Sequence, residues 1–419
     1  MTDPPFQMAL NEQRDVSPRQ PRSSLLVISC GLMIAVQVGF AALLWMQGHW
    51  LVGSSDGLVG FDFSCFWGAA KLVLEGKASS AYDWNTLHAL LNHEFAFDQL
   101  RDPPALPFFY PPAFLLAVTP LALLSFPNAL LVWTVTTLSA YLLAIRAVLP
   151  GATAMITALA TPIVVTVMWV GQNGLLTAAL FCGALALLDR RPLVSGVLIA
   201  LLAYKPHFGV LIPLVLAATG RWRVFASAVA TVIVLAVISG LLLGWDIFQF
   251  WIGAMVSASH RHLVAGSTPW FKLQSIYGFL RAAGLRGSVA WTVHMVVAVS
   301  ASAATVWIWR SRASYPLKAA TLVTAAMIVP PYMAIYDLTL LAVPVAFLVL
   351  DGLANGFRRW ESPLLLILAL VVMFDLILVF PWLHEPVGPI MCAASAAMIA
   401  VHLASARAAT MPDFKFKLD

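Results

Sequence analysis

The sequence predicts an all-α polytopic integral membrane protein, and three observations predict it: the apolar composition, the scarcity of charge and the recurrence of apolar runs. Of 419 residues, 61% are apolar and 10% are charged, and the mean hydropathy is +0.88. Soluble domains are about 45–50% apolar and about 25% charged, so a soluble globular protein and a disordered one are both excluded. We therefore expect one membrane body rather than several soluble domains.

The chain divides into a polar N-terminal tail over 1–24, a transmembrane domain over 25–406 and a C-terminal tail over 407–419. No small-residue cleavage site soon follows the first tail, which favours a retained segment over a signal peptide. A full span needs about 20 apolar residues, and several of the runs are shorter. The apolar runs lie at about 25–47, 111–125, 128–146, 153–170, 173–188, 192–204, 206–218, 224–244, 290–309, 317–330, 338–350, 363–380 and 387–406.

The positive-inside rule predicts the orientation. If both tails are cytoplasmic and 111–125 is a re-entrant segment, about 12 spans remain and most Lys and Arg residues fall inside. The alternative, in which 111–125 crosses fully, needs a further crossing between 150 and 172. The preferred topology places two long loops outside, 48–110 and 245–289. We therefore expect any chemistry at the extracytoplasmic face, where three short polar junctions also lie: 171–173, 204–207 and 330–337.

The first outer loop contains Asp62 among aromatic residues, in the segment Gly60-Phe-Asp-Phe-Ser-Cys-Phe-Trp67. Desolvation by such neighbours raises the basicity of a carboxylate, which suits a general base that takes a proton from a hydroxyl. The alternative is that Asp62 caps a helix beginning near Phe63. Asp56 is a weaker candidate, because its Ser-Ser-Asp-Gly setting is typical of a turn. Further along, a helix ending at Gly76 and an amphipathic segment over 84–98 are expected.

Lys205 precedes Pro206 between two short apolar runs, at the membrane boundary. A cation in this position usually has a partner or a function, and a phosphate group is a natural partner for an ammonium. The alternative is that the side chain snorkels to the interface. His207 beside it either adds a donor or has a structural role.

The other polar junctions offer hydrogen-bonding groups to a sugar. Gln172 and Asn173 interrupt an apolar hairpin, where they either bind sugar hydroxyls or satisfy backbone groups freed by the break. Asp337 follows two tyrosines and is either a second acid, a sugar ligand or a helix cap. In the second long loop Arg261 and Lys272 run against the positive-inside trend, which either an anionic ligand or the length of the loop explains.

The chain lacks the sequence motifs of several common enzyme classes. There is no P-loop, Rossmann fingerprint, zinc triad or nucleophile elbow, and the outer loops lack an Asp-x-Asp metal motif. The basic residues are scattered in short loops, which argues against a nucleic-acid partner. The four cysteines give no disulfide framework and no CxxC knuckle: Cys30, Cys65, Cys182 and Cys392.

The ordered set of polar landmarks resembles glycosyltransferase family 87, the polyprenyl-phosphate-mannose-dependent α-mannosyltransferases of bacteria. These landmarks are Asp62-Phe-x-x-Phe-Trp-x-Ala-Ala70, Tyr82-Asp83, Tyr110-Pro-Pro112 with Pro120, Gly171-Gln-Asn173, Lys205-Pro206, Gln274-Ser275 and Pro331-Tyr332 to Asp337. The resemblance implies a GT-C type helical bundle in the bacterial inner membrane, with its active site facing outward. It also implies a polyprenyl-phosphate donor, inversion at the anomeric carbon and Asp62 as general base. The segment Pro330–Asp337 departs from the Ser-Pro-x-Ser-Trp pattern that actinobacterial members tend to show there.

Taken together, the residues and the resemblance predict a membrane glycosyltransferase that moves a sugar, mannose by the resemblance, to a lipid or glycan hydroxyl. Lys205, His207, Lys272 and Arg261 are assigned to the donor phosphate. The sugar or acceptor is assigned to Gln172, Asn173, Tyr110, Gln274, Ser275, Tyr332 and Asp337. No cofactor is required, because a lipid phosphate paired with cations is already a good leaving group. The alternatives are a lipid-linked sugar flippase and a non-catalytic subunit of envelope glycan assembly.

Overall fold

The computed structural model describes residues 60–95, 106–160, 162–264, 270–357, 361 and 388–410, with five isolated positions before residue 60. The residues outside these ranges include most of the expected first span, Asp56, the run 363–380, the whole N-terminal tail and most of the C-terminal tail. The described part is helical. Its α-helices are α1 Phe61–Leu74, α2 Trp84–Phe95, α3 Pro112–Val118, α4 Phe126–Val148, α5 Ala152–Ala160, α6 Pro162–Val170, α7 Gly174–Leu187, α8 Pro192–Leu201, α9 Pro206–Gly209, α10 Leu211–Ala218, α11 Trp222–Leu243, α12 Ile247–Ser259, α13 Ile276–Ala282, α14 Gly287–Arg310, α15 Tyr315–Ile328, α16 Ala342–Asn355 and α17 Gly388–Thr410.

Shorter turns complete several of these helices. A π-helical turn, His260–Val264, extends α12. The 3₁₀ segments are Ala78–Tyr82, Thr119–Leu123, Leu202–Tyr204, Trp270–Lys272 and Ile335–Leu341. The segment formed by α3 and Thr119–Leu123 is about 20 Å long at the usual rise per residue. That is short of the ~30 Å hydrocarbon core, and the re-entrant course of this segment stays a prediction.

Four helices of the described residues are long and apolar enough to cross a membrane, by length and composition: Phe126–Val148, Trp222–Leu243, Gly287–Arg310 and Ile335–Asn355. The other apolar helices are shorter, and three of the chain's helices begin at a proline, at positions 162, 192 and 206. The chain is therefore a helical membrane protein, while a total of 12 spans stays a prediction. Large apolar side chains such as Leu131, Ile233 and Val296 are exposed on these long helices, as a lipid-facing surface requires.

Residues 60–95, the described part of the first long loop, fold much as their sequence predicts. Helix α1 ends at Leu74, and Gly76 follows with φ of 75°, the left-handed conformation expected after a helix end. Helix α2 buries Leu87, Leu91 and Phe95 along one face. This spacing of four residues confirms an amphipathic helix over 84–95, although the expected end at 98 lies outside the described residues.

The start of α1 is fixed against the end of α6 by two glycines. The backbone N–H of Gly60 donates a hydrogen bond of 2.7 Å to the carbonyl of Trp169. Gly171 has φ of +72°, and a Cβ atom there would lie 2.4 Å from the Cβ of Phe63. A larger residue at 171 would therefore both strain the backbone and clash. This contact brings the junction 171–173 beside Asp62.

Candidate active site

Asp62 lies in the first turn of α1, directly after the residues that start the helix. Gly60 occupies the N-cap position, and no side chain makes a capping hydrogen bond there. The alternative that Asp62 caps the helix is therefore wrong. The carboxylate is left available for another role, at a helix end where the backbone favours negative charge.

The surroundings of Asp62 make it a stronger base than an ordinary aspartate. Its side chain keeps part of its surface accessible, but the protein packed around it desolvates the carboxylate. Burial raises the pKa of Asp62 from its ordinary value of 3.8 to about 6, against the opposing effects of Gln172 and the Lys272 ammonium. A carboxyl with this pKa is ionised at neutral pH and still accepts a proton readily.

Gln172 and Asn173 both lie at the site, where Gln172 makes two polar contacts and the Asn173 side chain is left largely without partners. The Gln172 side chain lies within hydrogen-bonding reach of the Asp62 carboxylate, while its Oε1 accepts the Asn173 backbone N–H at 3.1 Å. Asn173 is fully buried, yet among the described residues neither polar atom of its side chain has a well-formed hydrogen bond. The Tyr110 hydroxyl interacts with it at looser geometry. A buried amide with unused donors and acceptors is suited to binding hydroxyl groups.

Lys205 and Asp337 form a buried ion pair, with 2.5 Å between Nζ and Oδ1. Their exposed fractions are only 3% and 1%. Lys205 therefore does not snorkel, and its ammonium lies 4.6 Å from the centre of the Tyr336 ring. The second carboxylate oxygen of Asp337 accepts the backbone N–H of Ala334 at 3.0 Å, which confirms in part the helix-cap alternative.

Tyrosines connect Asp62 to this ion pair. The hydroxyls of Tyr332 and Tyr336 lie within hydrogen-bonding reach of each other, and both rings lie within electrostatic range of Asp62 and Asp337. Tyr110 lies within the same range of Asp337, with its ring packed on Phe66 and Phe114. The expected residues of three separate junctions thus converge on one aromatic-walled site.

Gln274 and Ser275 are buried behind the site and already make bonds. The Ser275 hydroxyl donates to the Pro331 carbonyl at 2.6 Å and accepts the Gly278 N–H at 3.0 Å, as the N-cap of α13. Gln274 accepts the Gly388 N–H through its side chain and donates to the Met333 carbonyl through its backbone. These bonds hold the junction 330–337 in place, while direct contact with a sugar stays a prediction.

The remaining residues assigned to the phosphate differ in position. Lys272 is exposed and lies within electrostatic range of Asp62. His207 packs on Phe208 and Tyr332, and its Nε2 has no hydrogen bond among the described residues. Arg261 is half-buried in the π-helical turn after α12. Of these, only His207 and Lys272 are tied by a contact or a charge to the groups described above.

Sequence reasoning missed two contributors. The sequence indicates Tyr336 only as a neighbour of Asp337, whereas its ring lies over the Lys205 ammonium. Tyr204 donates to the Asn173 carbonyl at 3.1 Å and lies 2.5 Å from the Thr177 hydroxyl, so it anchors the junction 171–173. A signal for the ion pair was present, because ionisable groups near a membrane core usually pair with one another.

Among the described residues, no group of three or more His, Cys, Asp or Glu side chains is placed to hold a metal ion.

Comparison with known protein families gives a match. The profile of glycosyltransferase family 87 matches residues 108–331, a little over half of the chain. This range includes Tyr110, the junction 171–173, Lys205 and the pair Gln274–Ser275, and it excludes Asp62 and Asp337. Neither a curated protein nor a solved structure matches the chain.

Proposed function

The chain belongs to glycosyltransferase family 87, and we propose that it transfers mannose from a polyprenyl-phosphate donor to a lipid or glycan hydroxyl at the extracytoplasmic face of the bacterial inner membrane. Glycosyl transfer follows from the family. The donor, the sugar and the side of the membrane are part of the proposal. The observation that supports it best is Asp62, a carboxylate with a pKa of about 6 beside Gln172 at an aromatic-walled site.

In the proposed reaction Asp62 takes the proton of the acceptor hydroxyl. The acceptor oxygen attacks the anomeric carbon from the face opposite the phosphate, and the bond between that carbon and the phosphate oxygen breaks. The products are the new glycoside, with inverted configuration, and polyprenyl phosphate. Because the leaving group is an anion, cations near the phosphate stabilise the charge that grows as the bond breaks.

The other residues divide between the two ends of the donor. We assign the phosphate to Lys205 first, with His207, Lys272 and Arg261 in support. We assign the sugar to the Asn173 amide, whose polar atoms lack well-formed hydrogen bonds, and to the hydroxyls of Tyr110 and Tyr332. Binding a sugar hydroxyl gives the buried amide of Asn173 the partners that burial otherwise makes costly to lack.

Transfer of label tests the function directly. The purified protein is incubated with radiolabelled polyprenyl-phosphate-mannose and a membrane lipid extract, and the products are separated. We expect label in a new lipid or glycan product, formed at least about 100-fold more slowly by an Asp62→Asn control. If label instead crosses a proteoliposome membrane without entering a new product, the protein is a flippase and the proposal is wrong.

The raised pKa of Asp62 predicts the pH dependence of transfer. The base works only when it is deprotonated, so kcat/KM is expected to fall as pH drops through about 6, by about tenfold per pH unit below that value. Initial rates at low donor concentration, measured between pH 4.5 and 8, test this, with thermal unfolding at each pH as the control for stability. A rate that stays constant down to pH 4.5 would contradict the role of this carboxyl.

The orientation is tested by cysteine labelling in intact cells, after the native cysteines are removed. A cysteine at Gly57 or Ser267, in the two long loops, is expected to react with a membrane-impermeant reagent. A cysteine at Ser311 or Asn355, at the ends of α14 and α16, is expected to react only after the cells are opened. Labelling of Ser311 from outside would reverse the orientation and place the site at the cytoplasmic face.

A further inference from the structure

Lys205, the residue proposed to bind the donor phosphate, is already paired with an anion, the carboxylate of Asp337. The Lys205 ammonium lies 2.5 Å from the Asp337 carboxylate, and both side chains are almost fully buried. Removing two charges from water is costly, and their mutual attraction offsets this cost only in good geometry. A lipid phosphate that approaches Lys205 therefore meets an ammonium whose charge is neutralised by Asp337.

Asp337 is held in place by more than Lys205. Its second oxygen accepts the Ala334 N–H at 3.0 Å, and the chain before it is fixed to the second long loop. In that contact Met333 and Pro331 accept hydrogen bonds of 2.6 Å from Gln274 and Ser275. The negative charge consequently stays at the site when Lys205 binds a different anion.

Asp337 is also poorly placed to bind a sugar. One of its oxygens is engaged by an ammonium and the other by a backbone N–H, whereas the Asn173 amide nearby has no well-formed hydrogen bond. An anion with both oxygens bonded acts on its surroundings chiefly through its charge. That charge is in direct contact with the ammonium that we assign to the phosphate.

We propose that Asp337 is a resident counter-anion that competes with lipid phosphate for Lys205 and thereby promotes release of the polyprenyl-phosphate product, an inference that rests on Lys205 as the donor-phosphate ligand. The donor is a phosphodiester with one negative charge. The product is a phosphomonoester, which carries about −1.5 to −2 at pH 7 by analogy with other phosphomonoesters. The product is therefore repelled more strongly by the fixed carboxylate than the donor is.

Binding of undecaprenyl phosphate, a product without a sugar, tests this proposal. Asp337→Asn keeps the shape and an acceptor for the Ala334 N–H but removes the charge. A unit charge about 4–5 Å away is a strong effect at a partly buried site, so we expect the variant to bind undecaprenyl phosphate at least about tenfold more tightly than the native protein. We expect the mannosylated donor to gain by a smaller factor. Unchanged or weaker binding of undecaprenyl phosphate would overturn the proposal.

A second comparison does not depend on that variant being stable. In Lys205→Gln, Asp337 remains as an unpaired anion, while Lys205→Gln with Asp337→Asn has no charge at either position. We expect the double variant to bind undecaprenyl phosphate more tightly than Lys205→Gln alone. Equal affinities of these two proteins would also overturn the counter-anion role. A sugar-binding role for Asp337 would instead weaken donor binding and leave undecaprenyl phosphate unaffected.

Asp351→Asn is the matched control. Asp351 is likewise buried and hydrogen-bonded, with 2.8 Å between its Oδ2 and Nδ1 of His402, but it lies about 20 Å further along the same helical run. We expect this variant to bind undecaprenyl phosphate as the native protein does.

Failure of the native protein to transfer label would refute the proposed function. Native-like affinity of Lys205→Gln would refute its phosphate role and the counter-anion role together, while unchanged affinity of Asp337→Asn refutes the counter-anion role alone.

Discussion

Replacing Asp62 by asparagine is expected to lower kcat by about 10²–10⁴-fold, the usual contribution of a general base. Asparagine has the same shape and can still bond to Gln172, but it does not accept a proton from the acceptor. Because Gly60 occupies the N-cap of α1 and no side chain caps it, the substitution removes no helix-capping bond. We therefore expect near-native folding and near-native donor affinity. Steady-state rates with saturating donor measure kcat, and thermal unfolding measures folding.

Asp83→Asn is the control for this experiment. Asp83 is an exposed carboxylate of the same loop, and it accepts hydrogen bonds from Thr86 and from the backbone of Asn85 at the start of α2. We expect this variant to keep native kcat, since its carboxylate lies at the surface. If Asp62→Asn retained more than about a tenth of the native rate, Asp62 would not be the base. Asp337 would then be a poor substitute, because both its oxygens are engaged.

Local features of the fold were predictable because they depend on neighbouring residues. Gly76 ends α1 in the left-handed conformation that glycine adopts most easily. The apolar spacing of 84–95 gives an amphipathic helix whatever it packs against. The short apolar runs that begin with proline become short helices for the same local reason. The number of spans is a different kind of property, since a short helix crosses or dips according to what surrounds it.

Several of the residues that meet at the candidate site were predictable from the sequence, but their pairing was not. Gln172 was expected at the outer face, and the close contact of Gly171 with Phe63 places it beside Asp62. Lys205 and Asp337 were each recognised as unusual charges near the membrane, but 132 residues separate them. Their partnership depends on how α7, α9 and the 3₁₀ segment 335–341 pack. No local pattern encodes such packing, so the sequence alone points Lys205 to the donor phosphate and Asp337 to the sugar or acceptor.

Lys205→Gln is expected to have the second largest effect, and the ion pair gives it two components. Loss of a charge-assisted contact, about 1.5–3 kcal/mol, weakens donor binding roughly 10–150-fold at about 1.4 kcal/mol per decade. In addition, Asp337 is left as a buried carboxylate without its cation, which lowers stability by up to about 3–5 kcal/mol. Donor titration and the apparent melting temperature measure the two components separately.

Two further variants distinguish these components. Lys205→Arg keeps the charge but changes the geometry, so we expect partial recovery of both donor affinity and stability. Adding Asp337→Asn to Lys205→Gln removes the unpaired charge, so we expect the melting temperature to recover while catalysis stays impaired for lack of a cation at the leaving group. If instead Lys205→Gln bound the donor normally and melted early, Lys205 would serve only to neutralise Asp337. The donor phosphate would then have to be bound by other cations, with Lys272 the first to test because it lies within electrostatic range of Asp62.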